Sequence, residues 1–236
     1  MRSKDLWYLT RLIRLVNDEA VVRMGIGDIN TLDASHVVCI HIKSDNPIFG
    51  TAEGKIRLPD LLAGIDPYSK EEVIWGEDGK SHMIDGIRYR HKWDTSDDCG
   101  ISKLNFDTIE EKHVSVTMVI SAKRLKTMLK MVDNDTGCGL AFCATNGKKG
   151  AVVCDTCTTE CGTYEGEDLM TILPDCAKKI ITAMCGGDKK EFEVLFGNNT
   201  VIIIRERYLD YTIDLVIAPH ILCDNGETAK RIKSQF

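Results

Sequence analysis

Thiols and amines are the groups in this chain whose spacing could do chemistry. In "CDTCTTEC", Cys154, Cys157 and Cys161 stand at intervals compatible with a thiolate metal cluster, and Cys138 and Cys143 lie a little upstream. Three such thiolates could hold a structural zinc or iron ion that stiffens their loop. Two features count against it: a strand would turn alternate side chains to opposite faces, and no second CxxC pair completes the set. A thiol or metal enzyme drawing on the same cluster with His113 or His220 is the catalytic alternative. The chain has no glycine motif that cradles a nucleotide, and its "DD" and "EE" doublets read as solvated turns. The expectation is therefore a protein that is not an enzyme and needs no cofactor.

The amines fall into stripes. In "SAKRLKTMLKMV", Ala122, Leu125, Met128, Leu129 and Val132 recur at helical spacing, and Ser121 is placed to cap the helix. Lys123, Lys126 and Lys130 then lie within about 60° of one another on the opposite side, at roughly 100° per residue. The earlier segment around "LWYLTRLIRLV" puts Leu6, Leu9, Leu12, Ile13 and Val16 on one face and Lys4, Arg11 and Arg14 on another, where Trp7 and Leu15 intrude. Lys178 and Lys179 are on the solvent side of a helix that follows "LPD" at Leu173, whereas the helix after the "LPD" at Leu58 has only Lys55 and Arg57 just upstream. Lysines on one solvated face are ordinary. Similar stripes on two helices, in a chain of formal charge −6, point instead to a surface for a polyanion, a phosphate backbone contacted without base reading.

The helices that carry these stripes belong to an internal repeat. "LPDLLAGI" from Leu58 and "LPDCAKKI" from Leu173 share a start at an offset of 115. "LTRLIRLV" from Leu9 aligns with "LKTMLKMV" from Leu125 at 116, "VVRMGI" from Val21 with "GLAFCA" from Gly139 at 118, and "VIWG" from Val73 with "VLFG" from Val194 at 121. Four matches in one order, with a small drift in offset, indicate duplication with loop insertions. Pro59 and Pro174 suit a first helical turn, where the missing N–H costs nothing, and Asp60 and Asp175 complement the positive helix end. Short β-branched runs such as "HVVCIHI", "AVVC" and "TVIIIRE", separated by "EDGK", "TNGKKG" and "GNNT", give the pattern of antiparallel sheet. "SKLNFDTIEEKH", Ser102 to His113, has no clear period and reads as a connector.

A length of 236 residues with 43% hydrophobic content suffices for one large domain or two of ordinary size. No apolar run of roughly 18 residues is present and the first residues lack the order of a secretory leader, so an intracellular protein with no membrane partner is expected. Ten scattered cysteines are then reduced thiols rather than a disulfide framework.

Two motifs carry a family resemblance. "INTLDASHVVCIHI", Ile29 to Ile42, resembles the aspartate, small residue, Ser-His-Val segment that precedes a strand in sliding clamps of the proliferating cell nuclear antigen (PCNA) family of eukaryotes, archaea and their viruses. "LVIAPHI", Leu215 to Ile221, resembles that family's terminal strand, ending in Leu-Ala-Pro-basic-Ile, and "LPDCAKKIITAM" with "EFEVLFGNNTVIIIRE" is similar to its last helix and strand pair. The resemblance runs from about Leu6 to Ile221 and rests on the order and spacing of motifs.

The resemblance implies an α+β subunit of two similar domains, each with two helices backed by antiparallel sheet: an N-terminal clamp domain over 1–101, an interdomain connector over 102–113, a C-terminal clamp domain over 114–223 and a tail over 224–236. Three subunits would close head to tail into a ring around double-stranded DNA, with a monomer as the alternative. The DNA-facing residues would be Lys4, Arg11, Arg14, Lys123, Lys126, Lys130, Lys178 and Lys179. A groove of Leu32, His36, Val37, Leu104, Phe106, Ile109, Ile217, Ala218 and Pro219 would receive peptides of DNA polymerase and other replication or repair proteins with a clamp-binding motif. A clamp loader would be a further partner, and the location would be the nucleus for a eukaryotic or nuclear viral protein and the cytoplasm for an archaeal one. A divergent polymerase accessory subunit that holds DNA without a closed ring is the competing binding function. In the family, subunits pair through the end of the first domain and the middle of the second. Here those regions read "DTSDDCGISKL" and "CDTCTTECGTYEGED", and both are expected to be weak strands.

Overall fold

The structure, a computed structural model, describes residues 1–17, 21–25, 28–33, 35, 37–44, 54–77, 80–92, 104–132, 139–147, 149–154, 157–186 and 190–220. The chain divides into two compact units, one of Met1–Leu104 with Arg207–Asp214 and one of Asn105–Glu206 with Leu215–Phe236. Among the described residues no helix is long and apolar enough to cross a membrane.

Unit 1 runs α1 (Ser3–Val16), β1 (Val21–Gly25), β2 (Asp28–Leu32), β3 (Val38–Lys43), β4 (Gly54–Arg57), α2 (Leu58–Leu61), β5 (Ile74–Trp75), β6 (Ser81–Ile84) and β7 (Ile87–Arg90). Its strands form two antiparallel groups, ordered β4-β1-β2-β3 and β5-β6-β7. α1 forms because Leu6, Leu9, Leu12, Ile13 and Val16 share one face, and all are buried. Each of these, fully buried, contributes about 1.5–3 kcal/mol relative to exposure. The β6–β7 hairpin turns on Asp85-Gly86, both at positive φ (51° and 74°), the two-residue turn whose twist matches its strands.

Unit 2 begins with α3 (Phe106–His113) and β8 (Val116–Ser121). It continues through α4 (Ala122–Met131), β9 (Ala141–Ala144), β10 (Lys149–Cys154), β11 (Cys157–Thr163), β12 (Leu169–Ile172), α5 (Asp175–Met184), β13 (Glu191–Phe196), β14 (Ile202–Arg207) and β15 (Thr212–Ile217), whose first three residues fall in the Arg207–Asp214 stretch counted with unit 1. Here too there are two antiparallel groups, β12-β9-β10-β11 and β15-β14-β13-β8. Its core includes the buried Leu125, Phe142, Ile181, Phe192 and Phe196, with the Phe142 and Phe196 rings 6.0 Å apart, and a cluster of Ala141, Cys143, Ala151, Val153 and Ile172. The Ser121 hydroxyl caps α4 by accepting from Arg124 N (3.4 Å), and Pro174 stands at the cap of α5.

Setting aside α3 and β8, both units follow helix, four strands, helix, three strands, with the same strand order in each sheet. The registers fix the equivalences. Arg2 bridges Glu72 and Ser3 N donates to Glu71 O (2.8 Å); in unit 2 Ser121 pairs with Glu191 and Ala122 N donates to Lys190 O (2.8 Å). Both the helix and its strand are therefore offset by 119. Val21 opposite Arg57 and Ala141 opposite Ile172 give 120 for the next strand and 115 for the "LPD" start.

Three expectations change. The first-helix alignment of 116 slips by three residues, and the strand alignments of 118 and 121 each slip by two. The segment read as an irregular connector contains α3, because the Asn105 side chain caps it by accepting from Thr108 N (3.0 Å) and Arg205 holds Glu110 at 2.7 and 3.2 Å. "CTTECGT", expected as a weak strand, is the seven-residue β11 at the outer edge of its sheet, supported along its length by β10. Of the other expected weak strand, 94–103 lie outside the described residues, as does the tail over 224–236.

Candidate nucleic-acid interface

The basic stripes are properties of helix phase. On α4, Ala122, Leu125, Met128 and Leu129 are buried, which turns Lys123 and Lys130 fully outward and leaves Lys126 half-exposed. Arg124, absent from the sequence-based set, is also exposed, and no acidic residue lies on this helix. α4 packs on α5 and on β8, β10 and β11, so the stripe is carried by a helix buried along its other side.

On α1 the 119-residue equivalence places Lys4 at the position of Lys123, Arg11 at that of Lys130 and Trp7 at that of Lys126. Arg11 and Arg14 are exposed and Lys4 is half-exposed; the Arg11 guanidinium sits over the Trp7 ring at 5.7 Å from its centroid. Asp5, equivalent to Arg124, pairs with Arg2 at 2.9 Å. The cationic pattern of α1 is thus a thinner copy of that of α4. Laying "AKRLKTMLKMV" over "SKDLWYLTRLI" would have shown this from the sequence. On α5, Lys179 is exposed, whereas Lys178 Nζ is 2.7 Å from Asp175 Oδ1 with its side chain 17% exposed, so its charge is shared with a neighbour on the same helix. Chemically, α4 presents a cluster of ammonium and guanidinium groups of the kind that suits an anionic surface.

The residues expected to line a peptide groove divide between the units. In unit 1, Leu32 and Val37 are half-buried on either side of a loop organised by Asp33, and His36 lies outside the described residues. Asp33 Oδ1 accepts from Val37 N and Val38 N, each at 2.7 Å, Oδ2 accepts from Ser35 N at 3.3 Å, and Asp33 N donates to Val38 O at 2.9 Å. Asp33 is the residue that shapes this loop, and the site reading missed it although it stands in the quoted motif. Leu104, which ends the main span of unit 1, is half-buried. In unit 2, Phe106 and Ile109 are half-buried at a spacing that puts them on one side of α3. Ala218 and Pro219 are half-buried beyond β15, but Ile217 is fully buried within it. Its side chain belongs to the core and cannot line a groove, because the run from Ile213 to Ile217 is buried on both faces.

No protein-family model matches the chain, and no curated protein matches it in sequence. Solved structures do. PCNA of A. fulgidus, in complex with the C-terminal region of FEN-1, superimposes with a TM-score of 0.64 at 14% identity, over 95% of this chain and 98% of that one. PCNA of Thermococcus kodakaraensis gives 0.63 at 14% identity, over 93% and 98%. The DNA polymerase III beta subunit of Borrelia burgdorferi gives 0.63 at 10% identity, over 94% of this chain and 62% of its own length.

The chain has the sliding-clamp fold.

On this clamp fold Cys154, Cys157 and Cys161 do not form the three-thiolate site that their spacing suggested. Cys154 and Cys157 face each other across the β10–β11 hairpin with Sγ atoms 3.3 Å apart, while Cys161 Sγ turns to Thr159 O at 3.8 Å. Among the described residues no three His, Cys, Asp or Glu side chains gather as a metal site. Burial pushes the thiol of Cys39 up to about 12 and that of Cys185 up to about 11, and also raises Cys161, which disfavours the nucleophilic thiolate at each. His113 and His220, proposed partners for thiol catalysis, are both exposed.

Proposed function

We propose that this chain is a DNA sliding clamp, a processivity factor that encircles double-stranded DNA as a homotrimer and tethers DNA polymerase and other replication or repair enzymes to it. The observation that carries the proposal is the recurrence of cations at equivalent positions of α1 and α4 in a clamp fold, half-exposed Lys4 and exposed Arg11 on one and exposed Lys123 and Lys130 on the other. Such a face suits weak, sequence-independent contact. A closed ring is retained by topology, so its lining needs only enough positive charge to cushion phosphates while sliding remains easy.

Ring closure in this reading uses β11, whose outward edge follows from its terminal place in the order β12-β9-β10-β11. Docked enzymes gain a high local concentration at the template, and their peptides would contact Leu32, Val37, Leu104, Phe106, Ile109, Ala218 and Pro219. The protein has no catalytic role of its own in this proposal, and a clamp loader opens the ring.

The test is topological. Protein loaded on a nicked circle is compared before and after the circle is linearised. Loss from the linear form with retention on the circle supports encirclement; equal retention on both indicates side-on binding by an accessory subunit and overturns the ring.

A further inference from the structure

We infer that Cys154 and Cys157 form an oxidisable dithiol that closes to a disulfide across the β10–β11 hairpin, a modification site within a single chain at the start of the strand the proposed ring would use. The two residues are direct cross-strand partners, and their Sγ atoms already stand 3.3 Å apart. Opposed Cα atoms in antiparallel strands are about 4.5–5.5 Å apart, inside the range of about 4.4–6.8 Å that disulfides span. Closure therefore needs side-chain rotation and no movement of either strand. Cys161 cannot substitute for either partner, because it is four residues further along β11, about 13 Å at roughly 3.3 Å per residue.

The burial of the two thiols assigns the order of events. Cys157 is half-exposed and reaches solvent, whereas Cys154 is buried. A peroxide oxidant first converts the Cys157 thiol to the sulfenic acid with release of water. The Cys154 thiolate then attacks the Cys157 sulfur, forming the S–S bond and expelling hydroxide, which takes up the Cys154 proton as a second water. In sum, two thiols and one hydrogen peroxide give one disulfide and two waters. Cys157 Sγ also donates to Met128 Sδ on α4 at 3.4 Å, so oxidation removes the S–H that links β11 to the helix that carries Lys123, Lys126 and Lys130. Cys39 and Cys185 are buried, and their raised thiol pKa values keep them protonated under the same treatment.

The test uses the full chain, reduced and then treated with hydrogen peroxide at equal molarity, followed by intact mass and peptide mapping without reductant. The expected result is loss of two hydrogen atoms, mapped to a Cys154–Cys157 linkage, and reversal by dithiothreitol. In Cys157→Ser the loss disappears; in Cys154→Ser a sulfenic acid remains on Cys157 and is trapped by a 1,3-dione. Oxygen added at Cys157 or Met128 of the unaltered chain without loss of two hydrogens, or a linkage mapped to other cysteines, overturns the inference. The mapping of the unaltered chain decides the question even if a variant fails to fold. Because mass is the readout, failure here is separate from failure of the ring, which the circular-DNA experiment reports.

Discussion

Unit 1 and unit 2 follow the same order of elements, yet they spend their residues differently. α2 has four residues where α5 has ten, β5 has two where β13 has six, and a single bridge at Arg2 and Glu72 stands where β8 pairs along the whole of β13. What survives is the set of buried positions on the first helix: Ser3, Leu6, Leu9, Thr10 and Ile13 correspond to Ala122, Leu125, Met128, Leu129 and Val132, all buried. The repeat is held by its helix-to-sheet packing, and strand length is free to vary around it.

The interior of the smaller sheet differs most. Trp75 opposite His82 in unit 1 is equivalent to Val194 opposite Ile204 in unit 2, so a buried histidine takes the place of a buried isoleucine. His82 Nε2 lies 2.8 Å from Ala63 O and must donate there, which makes Nδ1 the acceptor for His91 Nε2–H at 2.7 Å. Trp75 and Tyr89 flank the pair, with ring centroids 5.7 Å and 5.2 Å from that of His82.

The largest expected effects test whether the two helices are equivalent. Leu6→Ala and Leu125→Ala should each cost about 2–5 kcal/mol in urea-induced unfolding, and should do so by similar amounts, since both side chains are fully buried at matched positions. A cost below about 1 kcal/mol for one of them would break the correspondence. The next effect separates the two equivalent hairpins, β2–β3 and β10–β11. Asp33→Ala removes the acceptor of three backbone N–H groups and should cost about 1–3 kcal/mol, with faster hydrogen exchange at Val37 and Val38 and none of that change at Cys154 and Cys157.

Acid should distinguish the small sheets. Burial is the main cause that lowers the pKa of His82 from its ordinary 6.5, with the His91 charge acting in the same direction and the Ala63 hydrogen bond opposing. The folded state then binds the proton less readily than the unfolded chain. The stability this gives is present above pH 6.5 and is lost as pH falls from there through the lowered folded value. All three tryptophans lie in the first 104 residues, so their fluorescence follows unit 1. Its urea midpoint should fall between pH 7.5 and 5.5, and a pH-independent midpoint would remove the histidine pair from the account.

The smallest effects per residue belong to the charges. Lys123→Ala with Lys130→Ala should lower the log–log salt slope of duplex binding by about 1.8, as should Lys4→Ala with Arg11→Ala, at about 0.9 per phosphate contact. Lys178→Ala should change it less than either single lysine on α4, because Asp175 already holds that ammonium.

Much of this was legible in the sequence. Fold class, the repeat and the cationic faces follow from helical period, β-branched runs and turn residues. The errors are instructive because they preserve side-chain direction. The helix alignment slipped by three residues, close to one turn, and the strand alignments by two, one full strand period, so each wrong register kept its apolar positions on the apolar side. α3 escaped notice because Phe106 and Ile109 are its only large apolar residues and its support comes from Arg205, far along the chain. Ile217 was misplaced because a strand buried on both faces has no alternation to read. The His82–His91 contact joins residues brought together by the β6–β7 hairpin, and neither spacing nor residue type announces it.

The central claim of the proposal is that duplex DNA contacts both α1 and α4. A benzophenone-bearing phenylalanine placed at Trp7 or at Lys126, equivalent positions on the two helices, reports this after irradiation of protein loaded on circular DNA. The account predicts crosslinks from both sites and none from the same probe at Tyr68, which is 90% exposed in unit 1. A crosslink from only one helix, from neither, or equally from Tyr68 would contradict it.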